Sequence, residues 1–179
     1  MPGCHAPTTI SRLGEIATIE RLSRFLPTRR DVVAGLGDDC AVVRMAGNPR
    51  RHLLLTSDAV IEGVHFSPDL APAAIGHKAI GRVLSDIASM GGEPAWALMD
   101  LVAPPDMPVT TLDGIYRGAS RLARRHKLAL VGGDTAQADR LQIHVFAVGF
   151  APAGKAILRS GARPGDVLFV TGILGGSIR

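Results

Sequence analysis

The chain has 179 residues, of which 46% are hydrophobic, 20% charged and 4% aromatic, and it carries a net charge of +4 with a pI near 9.7. This composition is typical of a globular protein with one well-formed core, and the length leaves room for part of a second domain. The positive charge brings a nucleic-acid partner into consideration, but the basic clusters contain no interleaved aromatic residues and no nucleic-acid-binding motif, so we expect no such partner.

The cysteines and the N-terminal segment indicate a compartment. Cys4 and Cys40 have no CxxC spacing, so they suggest neither a zinc site nor a disulfide framework, as is typical of a reducing environment. The first residues lack the basic and apolar regions of a signal peptide, and no apolar run is long enough to cross a bilayer. We therefore predict a cytoplasmic protein with no membrane partner.

The first half of the chain reads as one helix followed by extended segments. Apolar residues at helical spacing predict a helix over residues 11–26, which Pro27 ends. Strands are predicted over residues 40–45 and 51–58, with a turn between them, and residues 59–66 are expected to be extended as well.

Two longer helices follow in the second half. The first is predicted over residues 71–92, with Ile75, Ala79, Val83, Ile87 and Met90 on one face, and its end is marked by a pair of glycines. A second helix is predicted from about residue 110 to 127. Strands are predicted over the ranges 95–104, 128–132 and 141–151, the last of them as a possible hairpin at an edge.

The order of these elements indicates the fold class. The order α-β-β-β-α-β-α-β-β lacks the strict alternation of a doubly wound fold, so we predict an α+β fold with helices on one face of a mixed sheet. Near Pro152 the chain becomes rich in glycine and then enters a predicted strand at Val167. We therefore assign residues 1–151 to one domain and residues 152–179 to the beginning of a second, truncated one.

Acidic residues in unusual surroundings suggest a metal site. Asp39, Asp58, Asp86 and Asp134 each lie among small or apolar residues with no adjacent lysine or arginine. Aspartates are seldom buried unless they are paired, hydrogen-bonded or bound to a cation, and several together would repel one another. Magnesium prefers carboxylate and hydroxyl oxygens and often shares its ligand shell with substrate phosphates.

Each of these aspartates also has an ordinary structural interpretation. Those that follow or precede strands could form turns or cap helices, and Asp86 could face solvent on its helix. The chain has neither a P-loop nor a GxGxxG fingerprint, which leaves glycine-rich turns and single cations such as Arg159 to meet a phosphate. The residues alone therefore point to a magnesium-dependent enzyme, or to a binder of a phosphorylated ligand.

Five motifs taken in order resemble the thiamine-monophosphate kinase family, which belongs to the superfamily of aminoimidazole ribonucleotide synthetase and selenophosphate synthetase. The resemblance covers about residues 16–177 and implies an ATP-binding N-terminal domain of the aminoimidazole ribonucleotide synthetase type, which forms a homodimer through its sheet. The motifs are GDDCAVV, TSDAVIEGVHF, GHKAIGRVLSDIASMGGEPAWAL, VGGDT and LRSGARPGDVLFVTG.

The resemblance implies an activity and a set of site residues. ATP would donate its γ-phosphoryl group to thiamine monophosphate by direct in-line transfer with several Mg²⁺ ions, giving thiamine diphosphate, and no side chain is assigned as catalytic. His65 would contact the thiamine phosphate. The implied metal ligands are Asp39, Thr56, Ser57, Asp58, Asp86 and Asp134, and the implied nucleotide contacts are Tyr116, Gly133, Asp134 and Arg159.

The chain also departs from the family pattern. Ala136 and Gln137 stand where a hydroxyl residue and an arginine are usual, and the family continues with a second domain that carries more of the acceptor site. We therefore expect an N-terminal fragment whose activity alone is doubtful. The alternatives are another ATP-using member of the superfamily, of the synthetase or hydrogenase-maturation type, and a non-catalytic nucleotide-binding module left by truncation.

Overall fold

The computed structural model describes residues 9–170 and 172–173, and the chain separates into two compact units, Met1–Arg30 and Asp31–Arg179. In the first unit, α1 spans Ile10–Leu13 and α2 spans Glu15–Ser23, and neither helix has a buried residue. The prediction of one continuous helix over residues 11–26 is therefore wrong. Gly14, which has a φ of 79°, interrupts it because this backbone conformation lies outside the helical region.

The second unit contains two long helices and a sheet. The described residues of this unit form a sheet of seven strands. The helices are α3 (Pro72–Ser89) and α4 (Val109–Arg125). The strands are β1 (Val32–Ala34), β2 (Ala41–Met45), β3 (Asn48–Ile61), β4 (Glu93–Ala103), β5 (Ala129–Gly132), β6 (Thr135–Gln137) and β7 (Gln142–Pro152).

The sheet is mixed, as predicted. Its strand order is β1-β2-β3-β7-β4-β5, and β6 also pairs with β4. Strand β4 is parallel to β5 and β6, whereas the other pairs are antiparallel. The expectation that residues 141–151 form an edge is wrong, because β7 lies between β3 and β4. Its buried residues, small or β-branched at every second position, suit a strand that is paired on both sides.

Both helices lie on one face of the sheet, which confirms the predicted arrangement. The apolar face of α3 is buried as its spacing predicts, and it packs on alternate residues of β3, β7 and β4. Helix α4 packs against α3 through Ile115 and Ala119, which are fully buried. The other face of the sheet carries exposed apolar side chains: Leu55, Trp96, Leu98 and Phe146.

The segment after β7 forms no regular element over residues 161–170, so the strand predicted at Val167 is absent there. Val167, Leu168 and Phe169 are exposed, and none of the described strands pairs with them. Because a strand needs a hydrogen-bonding neighbour, an apolar sequence by itself does not create one. Among the described residues, no helix combines the length and the apolar character needed to cross a bilayer.

The close packing of α3 on α4 gives a prediction about Gly76. A methyl group at Gly76 would lie 1.9 Å from the carbonyl oxygen of Ile115, whereas one at Gly81 would lie no closer than 3.8 Å to Leu122. We expect Gly76→Ala to lower the free energy of unfolding by more than about 2 kcal/mol, because backbone must move to admit the methyl group.

The matched control is Gly81→Ala in the same helix. It should leave the free energy of unfolding unchanged or raise it by up to about 1 kcal/mol, since alanine is the better helix former and finds open space there. Urea unfolding of both variants measures the difference. Equal stability of Gly76→Ala and Gly81→Ala would show that the two helices pack less closely than described.

Candidate functional site

Helix α3 turns a polar stripe toward β3. The stripe consists of Lys78, Arg82, Asp86 and Ser89, spaced about one helical turn apart. Arg82 Nη2 donates to Asp58 Oδ1 at 2.6 Å, and Asp86 Oδ2 accepts a hydrogen bond of 2.6 Å from the Thr56 hydroxyl. Successive turns of the helix thus meet successive residues on one face of the strand.

The alternation of β3 decides which of its side chains enter this contact. Thr56 and Asp58 are two residues apart, so both side chains point toward α3. Ser57 is exposed, and alternation places its hydroxyl on the opposite face of the sheet. The structure therefore brings together two of the three consecutive residues for which a metal-binding role is expected.

The loop before β2 and the segment after β7 complete this region. Ser89 Oγ donates to Asp39 Oδ2 at 2.8 Å, and the guanidinium of Arg159 donates to the other oxygen of the same carboxylate. The backbone N–H of Arg159 donates to Asp38 Oδ1 at 2.6 Å. Asp39, Asp58 and Asp86, which we call the carboxylate cluster, are thus all connected to α3 or to its partners.

Two carboxylates of the cluster have arginine partners, although no lysine or arginine is adjacent to them in the sequence. Arg82 forms an ion pair with Asp58 and Arg159 forms one with Asp39. Arg82 precedes Asp86 by one helical turn, and Arg159 follows Asp39 by 120 residues in the chain. A search for adjacent lysines and arginines finds neither, because both ion pairs join residues that are distant in the chain and are brought together by the tertiary fold.

The electrostatics of the cluster differ from one carboxyl to the next. Burial raises the pKa of Asp86, and the neighbouring charges of Asp58 and Asp39 raise it further, although the Thr56 hydrogen bond acts in the opposite direction. The hydrogen bonds from Arg159 and Ser89 lower the pKa of Asp39. Asp86 is therefore the carboxylate that gains most from an additional cation.

Cys40 is a buried thiol beside the carboxylate cluster. Burial raises the pKa of its thiol to about 12, and the charges of Asp86 and Asp39 act in the same direction. Its backbone N–H lies 3.0 Å from the sulfur of Met90 at the end of α3. The thiol is therefore a protonated core group that borders the carboxylate cluster.

The oxygen atoms of this cluster suit a hard divalent cation. Carboxylate and hydroxyl oxygens are the protein ligands that Mg²⁺ prefers, and Asp39, Thr56, Asp58 and Asp86 supply them. Within residues 9–170 and 172–173, no three His, Cys, Asp or Glu side chains are already arranged around one metal position. The carboxylates are turned instead toward arginine, serine and threonine donors, which are the contacts that a metal would replace.

Gly133 and Asp134 lie between β5 and β6, on the edge of β4. A Cβ atom on Gly133 would lie 2.1 Å from the carbonyl oxygen of Met99, which explains why glycine occurs where the chain approaches β4 so closely. The N–H of Asp134 donates to Asp100 Oδ1 at 2.8 Å, and the Asp134 carboxylate accepts from the N–H of Thr135. The structure thus holds this aspartate by the backbone of Thr135 and by the side chain of Asp100.

The strand register separates Asp134 from the carboxylate cluster. Asp58 on β3 pairs with Val145 on β7, and Val145 pairs in turn with Met99 on β4. Asp134 lies one strand further, next to β4 and directly before β6. Three strand spacings amount to roughly 14 Å. Gly133 and Asp134 therefore form a second group on the same sheet, separated from the carboxylate cluster by the buried residues Val145 and Met99.

His65 and Tyr116 take separate positions. His65 follows β3, and its Nδ1 accepts a hydrogen bond of 3.0 Å from the N–H of Ile61, so the neutral ring carries its proton on Nε2. Its carbonyl oxygen accepts from Lys78 at the start of the polar stripe. Tyr116 lies on the exposed side of α4, in a surface cavity of about 300 Å³ lined also by Asp113, Arg117, Ser120 and Arg124.

Three residues of this region escaped the sequence analysis. Arg82 and Ser89 lie four before and three after Asp86, which on a helix places all three on one face, so helical spacing could have found them. Asp100 could not have been found, because its role depends on the pairing of β4 with β6.

Comparison with known proteins identifies the family to which this region belongs. The family described as AIR synthase related protein, N-terminal domain, matches residues 37–151. The chain belongs to this family. The match contains the carboxylate cluster, the polar stripe and the Gly133–Asp134 turn.

Individual relatives match a longer part of the chain than the family match does. The chain is 38% identical to thiamine-monophosphate kinase of Escherichia coli over 92% of its length, and 37% identical to that of Aquifex aeolicus over 94%. The solved structure of AaThiL complexed with AMPPCP and TMP matches 88% of the chain with a TM-score of 0.78 and 34% identity. The chain spans about half the length of each of these proteins, namely 50%, 52% and 48%.

The raised pKa of Asp86 yields a prediction about stability. Because the pKa of Asp86 in the folded protein lies above the ordinary value of 3.8, the protonated carboxyl favours folding relative to the charged one. This contribution to the free energy of unfolding is lost as pH rises through the folded-state pKa. Asp86→Asn removes the charge and keeps an oxygen that can accept from Thr56. In EDTA at pH 7 the variant should melt about 1–3 °C higher than the wild type.

The pH dependence supplies the control. The stability gain of Asp86→Asn should shrink as pH falls toward 4, because the wild-type carboxyl then becomes protonated as well. Thermal unfolding of both proteins over pH 4–8 measures the difference. A variant that is less stable than the wild type at pH 7 in EDTA would show that the charge of Asp86 stabilises the metal-free fold.

Proposed function

We propose that this chain forms the ATP- and Mg²⁺-binding part of a thiamine-monophosphate kinase, which transfers the γ-phosphoryl group of ATP to thiamine monophosphate. The observation that carries the proposal is the carboxylate cluster between α3 and β3, present in a chain 38% identical to a curated enzyme of that name. The matching structure with AMPPCP and TMP supports both proposed substrates. A cytoplasmic location, expected from the two isolated cysteines, belongs to the same proposal.

The proposed metal site distributes charge among several carboxylates. Asp39, Asp58 and Asp86 would hold Mg²⁺ together with the Thr56 hydroxyl, and Ser57 and Asp134, which lie apart from this cluster, would hold further Mg²⁺ ions. When bound, the metal neutralises the phosphate oxygens of the nucleotide and of the transition state. The protein residues position it, and the raised pKa of Asp86 supports the proposal because a carboxylate that is partly buried and near like charges is stabilised by a cation.

The proposed substrate contacts come from several separate parts of the chain. Gly133, Asp134, Arg159 and Tyr116 are proposed to contact ATP, and His65 to contact thiamine monophosphate. The Nε2–H of His65, which the Ile61 hydrogen bond leaves as the donor, suits a phosphate oxygen as its acceptor. Arg159 suits the nucleotide phosphates because its guanidinium already binds a carboxylate and is largely exposed.

The proposed reaction needs no side chain as a general base. The attacking group is a phosphate oxygen of thiamine monophosphate, and a phosphate monoester is already largely ionised near neutral pH. What the protein has to provide is alignment of two anionic phosphates and neutralisation of their charge. This requirement accounts for a site built from metal-binding carboxylates and cations.

The domain division remains part of the proposal. The family match ends at residue 151, which coincides with the boundary expected from the change in composition at Pro152. We assign residues 152–179 to the beginning of a second domain. Because the relatives are about twice as long as the matched part, the complete phosphoryl transfer is proposed for a protein of that length.

Binding of ATP to the 179-residue chain tests the proposal most simply. Calorimetric titration with ATP in the presence of Mg²⁺ should give a dissociation constant at least about tenfold lower than the same titration in EDTA, because a free carboxylate cluster repels the nucleotide phosphates. Asp86→Asn should lose most of this difference. Equal affinity with and without Mg²⁺ would contradict the proposed metal site.

The substrate assignment needs a separate measurement. Formation of thiamine diphosphate from ATP and thiamine monophosphate, assayed in the longer protein that contains these residues, should fall at least about 100-fold on Asp86→Asn, which removes transition-state charge neutralisation. The control is Arg121→Met on α4, an exposed residue outside the site, which should retain wild-type activity. An active protein unaffected by Asp86→Asn would contradict the assignment of Asp86.

We also propose that two copies of the chain pair through the open face of the sheet. Leu55, Trp96, Leu98 and Phe146 are 40–48% exposed there and line a groove of about 470 Å³. A patch of large apolar side chains on the face opposite the helices is costly in water, and a second copy of the same face would cover it symmetrically. The occupant we propose is therefore a second copy of this chain.

Oligomeric state in solution tests this pairing. Light scattering at micromolar concentration should give the mass of a dimer for the wild type and of a monomer for Phe146→Lys, because a charge at the centre of the groove opposes its burial. The control, Val109→Lys at the exposed start of α4, should remain dimeric. A monomeric wild type would contradict the pairing.

A further inference from the structure

Arg82 occupies the place where a cation is needed in the carboxylate cluster. Its guanidinium lies 2.6 Å from Asp58 and contributes to the electrostatic environment of Asp86. On the basis of the proposed function, we infer that Arg82 exchanges one binding partner for another. It neutralises Asp58 when no metal is bound, and it moves to a phosphate oxygen of the bound substrate when Mg²⁺ binds Asp58. Mg²⁺ then releases Arg82 for the nucleotide phosphate, and the nucleotide takes up the guanidinium that competes with Mg²⁺ for Asp58.

The hydrogen bonding of Arg82 is incomplete in its present position. Arginine has five N–H donors, and the described structure shows one of them, Nη2, on Asp58. The Nε atom is buried, and among the described residues it has no hydrogen-bond partner. A buried donor without a partner is rare in proteins and calls for an explanation. Exchange offers one, since a guanidinium that leaves Asp58 for a phosphate can satisfy this donor as well.

The half-exposed position of Arg82 is compatible with movement. Its side chain is 38% exposed, whereas that of Asp58 is 21% exposed, so the arginine reaches the carboxylate from the solvent side. Arginine carries its charge at the end of a long stem and binds phosphate as readily as carboxylate, often through two parallel hydrogen bonds. The same group can therefore serve both partners without a change in the backbone of α3.

The polar stripe indicates the direction of this movement. Asp86 and Ser89 lie at its acidic end, beside Asp39, whereas Arg82 and Lys78 lie at its basic end. Lys78 holds the carbonyl of His65, the residue proposed to contact the thiamine phosphate. Arg82 therefore stands between the metal-binding carboxylates and Lys78, at the basic end of the stripe, where a phosphate of metal-bound ATP would meet a cationic side chain.

Charge balance explains why the exchange needs both ligands. When Mg²⁺ binds alone, it has to displace the Arg82 guanidinium from Asp58, and the guanidinium is then left without an anionic partner. A phosphate alone would meet the carboxylates of the cluster, which repel it. When both are present, the metal takes the carboxylate and the phosphate takes the arginine, so that each charge is paired.

The test compares metal binding with and without nucleotide in wild type, Arg82→Met and Arg121→Met. The probe is Mn²⁺, which takes similar oxygen ligands and whose free concentration is measured by electron paramagnetic resonance. Without nucleotide, Arg82→Met should bind Mn²⁺ about two- to fivefold more tightly than wild type, because the competing ion pair is gone. With ATP at a saturating concentration, the order should reverse, and Arg82→Met should bind Mn²⁺ and ATP more weakly.

The reversal of sign separates exchange from a structural role. If Arg82 only positions Asp58, its removal weakens Mn²⁺ binding under both conditions, and that result overturns the inference. Equal binding by Arg82→Met and Arg121→Met under both conditions overturns it as well. Circular dichroism verifies folding, and Arg82→Gln, expected to change binding in the same directions, replaces Arg82→Met if the latter does not fold.

The wild-type measurements distinguish this inference from the proposed function. A wild-type chain that binds neither Mn²⁺ nor ATP contradicts the proposed metal and nucleotide site itself. A wild-type chain that binds both, with Arg82→Met unchanged, leaves the proposed function intact and contradicts only the exchange.

Discussion

The mutual repulsion of Asp39, Asp58 and Asp86 is the constraint on which the site depends. Three carboxylates in a partly buried region cannot all remain charged unless donors or cations offset the repulsion. In the structure this is done by Arg82, Arg159, Ser89 and Thr56, each of which holds one carboxylate oxygen. The pKa of Asp86 is nevertheless raised, chiefly by burial and further by the charges of Asp58 and Asp39. A divalent cation would stabilise its charged form.

The fold keeps these charges together. Asp86 lies on α3, whose apolar face is packed on β3, β7 and β4, so the aspartate cannot withdraw from Thr56 without loss of the core contact. Gly76 allows α4 to pack closely against the other side of α3, which fixes the helix from both directions. The energy that maintains the charged site is therefore supplied by hydrophobic burial in its neighbourhood, which is the usual way in which proteins support unfavourable functional groups.

Local pattern predicted much of the fold, and tertiary pairing accounts for the rest. The buried face of α3 followed from helical spacing, because burial repeats with the period of the helix. The central position of β7 did not follow, since strand order is set by long-range pairing that alternation does not encode. Likewise the aspartates stood out by their apolar neighbours, whereas Arg159 was assigned to the nucleotide and its ion pair with Asp39 emerged only from the folded chain.

The central claim is that the carboxylate cluster is a divalent-metal site that becomes occupied together with nucleotide phosphate. A crystal structure of the chain grown with Mn²⁺ and a non-hydrolysable ATP analogue tests it most directly, because anomalous scattering locates the metal independently of the protein atoms. The account predicts an anomalous peak within bonding distance, about 2.0–2.3 Å, of oxygens from at least two of Asp39, Asp58 and Asp86. Bound nucleotide with no metal at these carboxylates, and with Arg82 still paired to Asp58, would contradict it.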